Sequence, residues 1–247
     1  MLNAVIFDFD GIIVDTEPLH YKAFQELLVP LGLGYSWEEY LDRYIGFDDR
    51  DAFREAFRVH GRALSDQELK ELIHGKAEAF LEIVSGGVAP YPGVVELIRS
   101  ISGNLPLALC SGALKSDIEP ILAQLGLTDA FDVRVTADEV AASKPDPESY
   151  RLAVQRLQER FPGKVNAADS IAIEDTPAGI ASATGAGLKV LAVTNSYPRE
   201  RLTGAWRVVN SLAGVDLEGL RLLVCRHAEA SHHRHHPSRT ARGSRGA

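Results

Sequence analysis

Three aspartates stand close together near the N-terminus, in the segment AVIFDFDGIIVDTEPLH of residues 4–20. Asp8 and Asp10 follow an apolar run and are separated by one residue, and Asp15 comes five residues later. Side chains two positions apart in an extended segment lie on the same side of it, so Asp8 and Asp10 face one region of space. One carboxylate could attack phosphorus and form an acyl phosphate. The second could protonate the leaving oxygen and later activate water.

Other polar residues follow three later apolar or strand-like runs: Ser111 and Gly112, then Lys144, then Glu174 and Asp175. A hydroxyl, a backbone amide and an ammonium group can offset the charge of a phosphoryl group. Asp8 and Asp175 could supply the one or two carboxylates with which proteins usually hold Mg²⁺. Only one of two adjacent side chains on an extended segment readily faces an ion, so Glu174 is a more ambiguous ligand than Asp175.

The elements that must position these residues are short apolar runs, which alternate with helical patterns from residue 90 onward. Predicted strands occupy residues 4–9, 105–112, 131–138, 170–175, 188–194 and 206–211. This alternation indicates βαβ units and a parallel sheet. Ligands of such sheets bind outside the carboxyl ends of the strands, where the polar residues should converge. The predicted fold class is α/β, a doubly wound, Rossmann-like parallel sheet core with an inserted all-helical cap domain.

The predicted insert follows the first strand's loop, because residues 17 to about 85 carry only helix-period patterns. The Gly- and Pro-rich segment SGGVAPYPG at 85–93 is the predicted return linker. The predicted boundaries are a discontinuous core of residues 1–16 and 88–224, and a helical cap of residues 17–87. Asp15 and Thr16 are interpreted as a turn and an N-cap for the first cap helix.

Three cap residues are candidates for substrate binding together with Gly112 of the core. Arg50 lies in the loop-like segment IGFDDRDAF, and a guanidinium group suits a phosphate or a sugar. Lys76 could reach the substrate from a helix, or be a solvated surface charge. His20 follows the first aspartates and could position Asp10. His74 is predicted to lie at the surface.

Composition excludes several classes of protein. Of 247 residues, 45% are hydrophobic and 24% charged, as in ordinary soluble domains, and no apolar run approaches the roughly 20 residues of a membrane span. Two cysteines, Cys110 and Cys225, and no basic N-terminal leader predict a cytoplasmic location. The segment 225–247 carries +4 and the rest −12, so nucleic acid is not an expected partner. This Arg- and His-rich tail is predicted to be disordered, and the protein to be a monomer.

The segment DFDGIIVDTE resembles the first motif of the haloacid dehalogenase superfamily, D-x-D-G-x-x-x-D-S/T. Ser111, Lys144 and Glu174–Asp175 match the second, third and fourth motifs in order, and the resemblance extends from Met1 to about Asn210. The insert is similar to the helical type-one cap of β-phosphoglucomutase-like phosphatases and mutases. The resemblance implies Asp8 as nucleophile and Asp10 as general acid/base, with Ser111 and Lys144 completing the catalytic set. It also implies Mg²⁺ on Asp8, the Asp10 carbonyl and Asp175, with Glu174 as a ligand or a neighbouring group.

The predicted function is a Mg²⁺-dependent phosphatase that hydrolyses a small phosphorylated metabolite, a sugar phosphate, through an aspartyl phosphate. A phosphomutase resembling β-phosphoglucomutase and a phosphoglycolate-type phosphatase are the alternatives among enzymes. The loop SGALKSD carries Ala113 and Leu114 where a mutase would place polar contacts, which favours hydrolysis. A non-catalytic binding protein on the same scaffold is a further alternative, disfavoured by the intact catalytic set.

Overall fold

A computed structural model describes residues 2–45, 47 and 49–225, with side chains to residue 223. Within this part of the chain, six strands form one parallel sheet in the order β3-β2-β1-β4-β5-β6. The strands are β1 Ala4–Phe7, β2 Leu107–Cys110, β3 Val133–Val135, β4 Ser170–Glu174, β5 Lys189–Val193 and β6 Arg207–Val209. In this order the chain reverses direction across the sheet beside β1, and the crevice for a ligand opens at that point. The predicted fold class is confirmed.

Both faces of the sheet are covered, as the apolar character of β1 requires. Val5 and Phe7 point into the apolar cluster on one side, and Ala4 and Ile6 point into the cluster on the other. The first side is covered by α5 Val94–Ile101, α6 Lys115–Gln124 and α9 Leu217–Cys225; the second by α7 Glu148–Arg160 and α8 Pro177–Gly185. Strands buried on both faces hold their carboxyl ends in fixed positions relative to one another.

The insert after β1 consists of helices in all its described elements. They are α1 Glu17–Leu28, α2 Trp37–Glu39, which continues as a π-helical turn at Tyr40–Tyr44, α3 Asp49–Val59 and α4 Asp66–Ser85. These helices share an apolar core of their own that includes Phe24, Tyr44 and Phe53. The end of α4 joins the main core through Phe80, so the cap sits on the sheet domain along this helix. We retain 17–87 as the proposed cap boundaries.

The two connections between core and cap lie side by side. Val14 pairs with Pro90 in an isolated bridge, and the Tyr91 amide donates to the Ile13 carbonyl at 2.9 Å. No helix in the described part of the chain is both long and apolar enough to cross a membrane. Apart from Cys225, the predicted disordered tail of residues 225–247 lies outside the described residues.

Candidate active site

The polar residues predicted at four strand ends meet at one edge of the sheet. Asp8 directly follows β1, and its amide still donates to the Ile173 carbonyl of β4 at 3.0 Å. Ser111 directly follows β2, and its amide donates to Val135 of β3 at 2.9 Å. The sheet's own hydrogen bonds therefore continue into the site and fix the backbone of both residues.

Lys144 links the strands that carry the acids. Its Nζ lies 2.8 Å from Asp8 Oδ1, 2.7 Å from Glu174 Oε1 and 3.3 Å from the Cys110 carbonyl oxygen. An ammonium group has three donors, and each has an acceptor here. Burial opposes the charge, but the Asp8 and Glu174 carboxylates outweigh it and raise the pKa of Lys144 well above its ordinary value. Lys144 is therefore a fixed positive charge.

Glu174 is held on both carboxylate oxygens. Oε1 accepts from Lys144 and from the Tyr150 hydroxyl at 3.0 Å, while Oε2 accepts from the Asp175 amide at 3.0 Å. The first turn of α8 packs directly on this carboxylate: a Cβ added to Gly179 would lie 1.8 Å from Oε1. Only glycine fits there, so the start of α8 closes over Glu174.

Three buried acids lie together without enough positive charge to balance them. Oxygens of Asp8, Glu174 and Asp175 all lie within 4.8 Å of one another. Burial, followed by the charge of Glu174, raises the pKa of Asp8 well above its usual range and that of Asp175 to about 7. With all three ionised and Lys144 charged, the group would carry a net charge of −2, which one divalent cation would balance.

Asp175 has the free oxygen that such a cation needs. Its Oδ1 is buried and has no hydrogen-bond partner among the described residues, whereas Oδ2 accepts from the Ser196 hydroxyl. A buried oxygen without a partner is unusual in a folded protein. The available ligands are all hard oxygens, the type that Mg²⁺ prefers. The residues present therefore fit a divalent cation.

The turn after Asp10 packs against Asp175. Gly11 has a φ of +75°, and a Cβ there would lie 1.9 Å from Asp175 Oδ2. The Asn195 side-chain amide donates to the Gly11 carbonyl at 2.6 Å. Glycine is needed at this position both for its backbone conformation and for the close approach.

Asp10 is held by two hydroxyl groups. Thr16 Oγ1 donates to Asp10 Oδ1, and Ser111 Oγ lies 3.5 Å from Oδ2. Burial raises the pKa of Asp10, which helps a carboxyl group to keep a proton for general acid catalysis. Thr16 occupies the N-cap position of α1, as predicted, but its side chain makes no cap hydrogen bond there and donates to Asp10. The Asp15 carboxylate accepts from the Glu17 amide instead.

Lys76 is buried in the cap, not solvated. Its Nζ lies 2.8 Å from Asp49 Oδ1 and 3.0 Å from His20 Nδ1, and above the rings of Phe24 and Phe80 at 5.2 and 5.3 Å. His20 stacks on Phe80 with ring centroids 4.5 Å apart. Among the described contacts, His20 therefore belongs to the surroundings of Lys76, and the side chains that hold Asp10 are those of Thr16 and Ser111.

The other predicted candidates lie at the surface. Arg50 is exposed in the first turn of α3, and Gly112 is exposed after Ser111, where an added Cβ would meet no atom within 4 Å. His74 is 78% exposed and lies 3.5 Å from Glu78, as predicted for a surface residue. The structure leaves the binding roles of Arg50 and Gly112 as proposals.

A family model described as haloacid dehalogenase-like hydrolase matches residues 5–193. The chain belongs to this family. Protein CbbY of Rhodobacter capsulatus is 35% identical over 219 residues, which cover 84% of this chain and 92% of CbbY. Fructose-1-phosphate phosphatase YqaB of Escherichia coli (strain K12) is 33% identical over 189 residues, which cover 76% of this chain and 95% of YqaB.

A crystal structure of a CbbY mutant from Rhodobacter sphaeroides in complex with xylulose-(1,5)bisphosphate has a TM-score of 0.78 at 28% identity. The similarity covers 89% of this chain and 99% of the CbbY chain in that structure. Together with the family match, these similarities confirm the predicted family and the enzyme class of this haloacid dehalogenase-like hydrolase, a phosphoric monoester hydrolase.

Several contacts of the site were not predicted from the sequence. Ser196 and Asn195 follow β5, so the strand-end rule that located Asp175 would also have found them. Thr16 is the last residue of the first motif of the haloacid dehalogenase-like hydrolases. Its place in that motif was a second signal that it belongs to the site. Tyr150 lies in the first turn of the amphipathic helix α7, and nothing in its sequence context indicates a contact with Glu174.

Replacing His20 by glutamine is expected to remove a pH-dependent part of the stability. Burial, then the Lys76 ammonium, lowers the pKa of His20 to about 3 in the folded protein, against 6.5 for a free side chain. The unfolded state therefore binds a proton first as pH falls, and wild type loses stability below about pH 6.5. The loss should reach about 2 kcal/mol at about pH 5.

Urea denaturation of both proteins at about pH 7.5 and pH 5 measures this loss as a difference in the free energy of unfolding. His20→Gln should show the smaller decrease between the two pH values. An equal decrease in the two proteins would contradict a buried, neutral His20.

Proposed function

We propose that this protein is a Mg²⁺-dependent phosphatase that hydrolyses a sugar phosphate through an aspartyl phosphate on Asp8. The observation that carries the proposal is that two acids with different surroundings follow the end of β1. Asp8 has one oxygen held by Lys144, and Asp10, two residues on, has a carboxyl group whose pKa is raised by burial. The relatives named CbbY and YqaB support a sugar phosphate as the substrate.

Asp8 acts as the nucleophile. Lys144 fixes Asp8 Oδ1, which leaves Oδ2 for attack on phosphorus. As the new phosphorus–oxygen bond forms, the bond to the leaving oxygen breaks, and that oxygen takes the proton of Asp10. Asp10 then removes a proton from water, whose oxygen attacks the phosphorus. The bond between phosphorus and Asp8 Oδ2 breaks, which releases inorganic phosphate and regenerates the Asp8 carboxylate. The hydroxyls of Thr16 and Ser111 hold Asp10 in place for both transfers.

Asp8, the Asp10 carbonyl and Asp175 are the groups that would hold Mg²⁺, which when bound offsets the negative charge of the phosphoryl group. Glu174 lies close enough to contribute, but Lys144, Tyr150 and backbone amides already occupy its oxygens. Its proposed role is therefore to anchor Lys144. Ser111 and the Gly112 amide are also proposed to bind oxygens of the phosphoryl group.

A phosphate-release screen over sugar phosphates tests the proposal. Release should require Mg²⁺ and fall about 100-fold or more in excess chelator, because the ion contributes several kcal/mol to transition-state stabilisation. Asp175→Asn should lose most of this Mg²⁺ response, while Glu82→Gln, a charge-matched change at an exposed position of α4, should keep it.

Undiminished release in chelator would contradict the proposed metal dependence. Interconversion of two sugar phosphates without net phosphate release would instead identify a mutase. A binding protein would give neither result with any member of the screen.

A further inference from the structure

Five residues of the cap and of α6 lie on the elements that adjoin Asp10, and we call them the leaving-group chamber: Glu17, His20, Asp49, Lys76 and Asp117. Glu17 directly follows Thr16, whose hydroxyl donates to Asp10, and opens helix α1. Asp117 lies in the first turn of α6, which follows Ser111, the second hydroxyl on Asp10. Asp10 protonates the leaving oxygen in the proposed reaction. The part of the substrate that leaves must therefore lie beside this chamber.

The positive charge of the chamber is already balanced. Lys76 is 1% exposed, and its ammonium lies 2.8 Å from Asp49 Oδ1. A second donor of the ammonium faces His20 Nδ1 at 3.0 Å, so two of its three donors are already used within the cap. His20 adds no charge, because burial and Lys76 keep its ring neutral. Lys76 therefore offers no net positive charge to a substrate.

Asp117 and Glu17 are two further carboxylates of the chamber. Asp117 lies in the first turn of α6, shortly after Ser111, and is 8% exposed. The Ser116 hydroxyl donates to Asp117 Oδ1 at 3.2 Å, and the charges of Lys76 and Asp49 also act on this carboxylate. Glu17 accepts from the Tyr40 hydroxyl at 2.5 Å. Among the described residues, the cation that acts on both carboxylates is Lys76, and Asp49 already pairs with it.

We propose that the leaving-group chamber selects phosphate monoesters whose distal end is uncharged and rich in hydroxyl groups, and rejects those that carry a second phosphate there. This inference rests on the proposed function. Ionised carboxylates only accept hydrogen bonds, so sugar hydroxyls can donate to Asp49 and Asp117. A distal phosphate would also mainly accept hydrogen bonds, and would face the like charges of these carboxylates.

Matched substrate pairs test the proposal: fructose 1-phosphate with fructose 1,6-bisphosphate, ribulose 5-phosphate with ribulose 1,5-bisphosphate, and glucose 1-phosphate with glucose 1,6-bisphosphate. In each pair that is hydrolysed, kcat/KM should favour the monophosphate by about 100-fold, mainly through KM, because like-charge contacts cost several kcal/mol. Asp49→Asn and Asp117→Asn should each reduce this preference about tenfold. The charge-matched variant Glu82→Gln should leave it unchanged.

A second measurement does not depend on turnover or on any one variant. Calorimetric titration of Asp8→Asn with both members of each pair should show weaker binding of the bisphosphate. Thermal melts establish which chamber variants are folded, and either Asp49→Asn or Asp117→Asn is sufficient for the comparison.

Equal or better hydrolysis and binding of the bisphosphates would overturn the inference and leave the phosphatase function standing. If Arg50→Ala abolished that bisphosphate activity, the exposed arginine of α3 would be identified as the distal phosphate site instead. Failure to hydrolyse any member of any pair or of the wider screen with Mg²⁺ present would overturn the proposed function itself.

Discussion

Asp8→Asn is expected to lower kcat for phosphate release by about 10⁴-fold or more, because the variant loses the attacking oxygen while every other group of the site remains. The fold should survive. Asp8 sits among the carboxylates of Glu174 and Asp175, so removing its charge relieves repulsion, and Lys144 keeps Glu174 as an ionic partner. Steady-state phosphate release and thermal melts of the same preparations measure the two effects.

Asp15→Asn is the matched control for this prediction. It makes the same chemical change in the same motif, and asparagine can keep the hydrogen bond that Asp15 accepts from the Glu17 amide. We expect kcat within about threefold of wild type, because changes away from the chemistry rarely cost more than a few tenths of a kcal/mol. An Asp8→Asn enzyme as active as Asp15→Asn would show that Asp8 is not the nucleophile.

Lys144→Met is expected to impair both stability and activity. The change removes the ammonium that Asp8 and Glu174 share at 2.8 and 2.7 Å and leaves two buried carboxylates without their counter-charge. Breaking a buried ion pair from one side costs about 3–5 kcal/mol. Phosphate release should fall below detection, because Asp8 would be neutral more of the time and would lose its orientation.

The stability deficit of Lys144→Met should also depend on pH. Without the ammonium, which lowers the pKa of Asp8, that pKa in the folded state rises further above its value in the unfolded state. Acids with a raised folded-state pKa contribute stability at low pH and lose it as pH rises. The difference in unfolding free energy between wild type and Lys144→Met should therefore shrink from about pH 8 to about pH 5.

Urea denaturation at both pH values measures this difference, with Lys115→Met as the control. Lys115 is 67% exposed and pairs with Glu119 at 3.6 Å, an exposed pair for which a loss of about 0.5 kcal/mol or less is expected. A deficit for Lys144→Met no larger than that of the control, or one that does not change with pH, would contradict the proposed electrostatic role.

Much of the core of the site could be predicted from the sequence, because parallel strands impose a simple rule. Asp8, Ser111 and Asp175 directly follow β1, β2 and β4, and the hydrogen bonds between those strands bring the three residues to one edge. Lys144 lies on the segment after β3, not directly at a strand end. The acids at that edge of the sheet are the opposite charges with which its ammonium group could pair. Chain order and the geometry of the sheet were sufficient to predict that these four residues meet.

The side-chain contacts of the cap could not be predicted from the sequence in the same way. A lysine in the middle of α4 is usually solvated, and its burial depends on Asp49 and His20 from two other helices. Helical periodicity predicts which residues face inward but not which helices meet. The same holds for Thr16, where the local pattern predicts a cap and the fold provides a stronger acceptor in Asp10.

The covalent intermediate on Asp8 is the central claim, and acid quenching of the enzyme during turnover of a hydrolysed sugar phosphate tests it most directly. Mass spectrometry of the quenched, digested protein should find one added phosphoryl group on the peptide that contains Asp8, and none in Asp8→Asn. Treatment of the quenched protein with borohydride should convert the phosphorylated aspartate at position 8 to homoserine. Rapid phosphate release by wild type with no phosphoryl group trapped on that peptide, even under single-turnover conditions, would contradict the account.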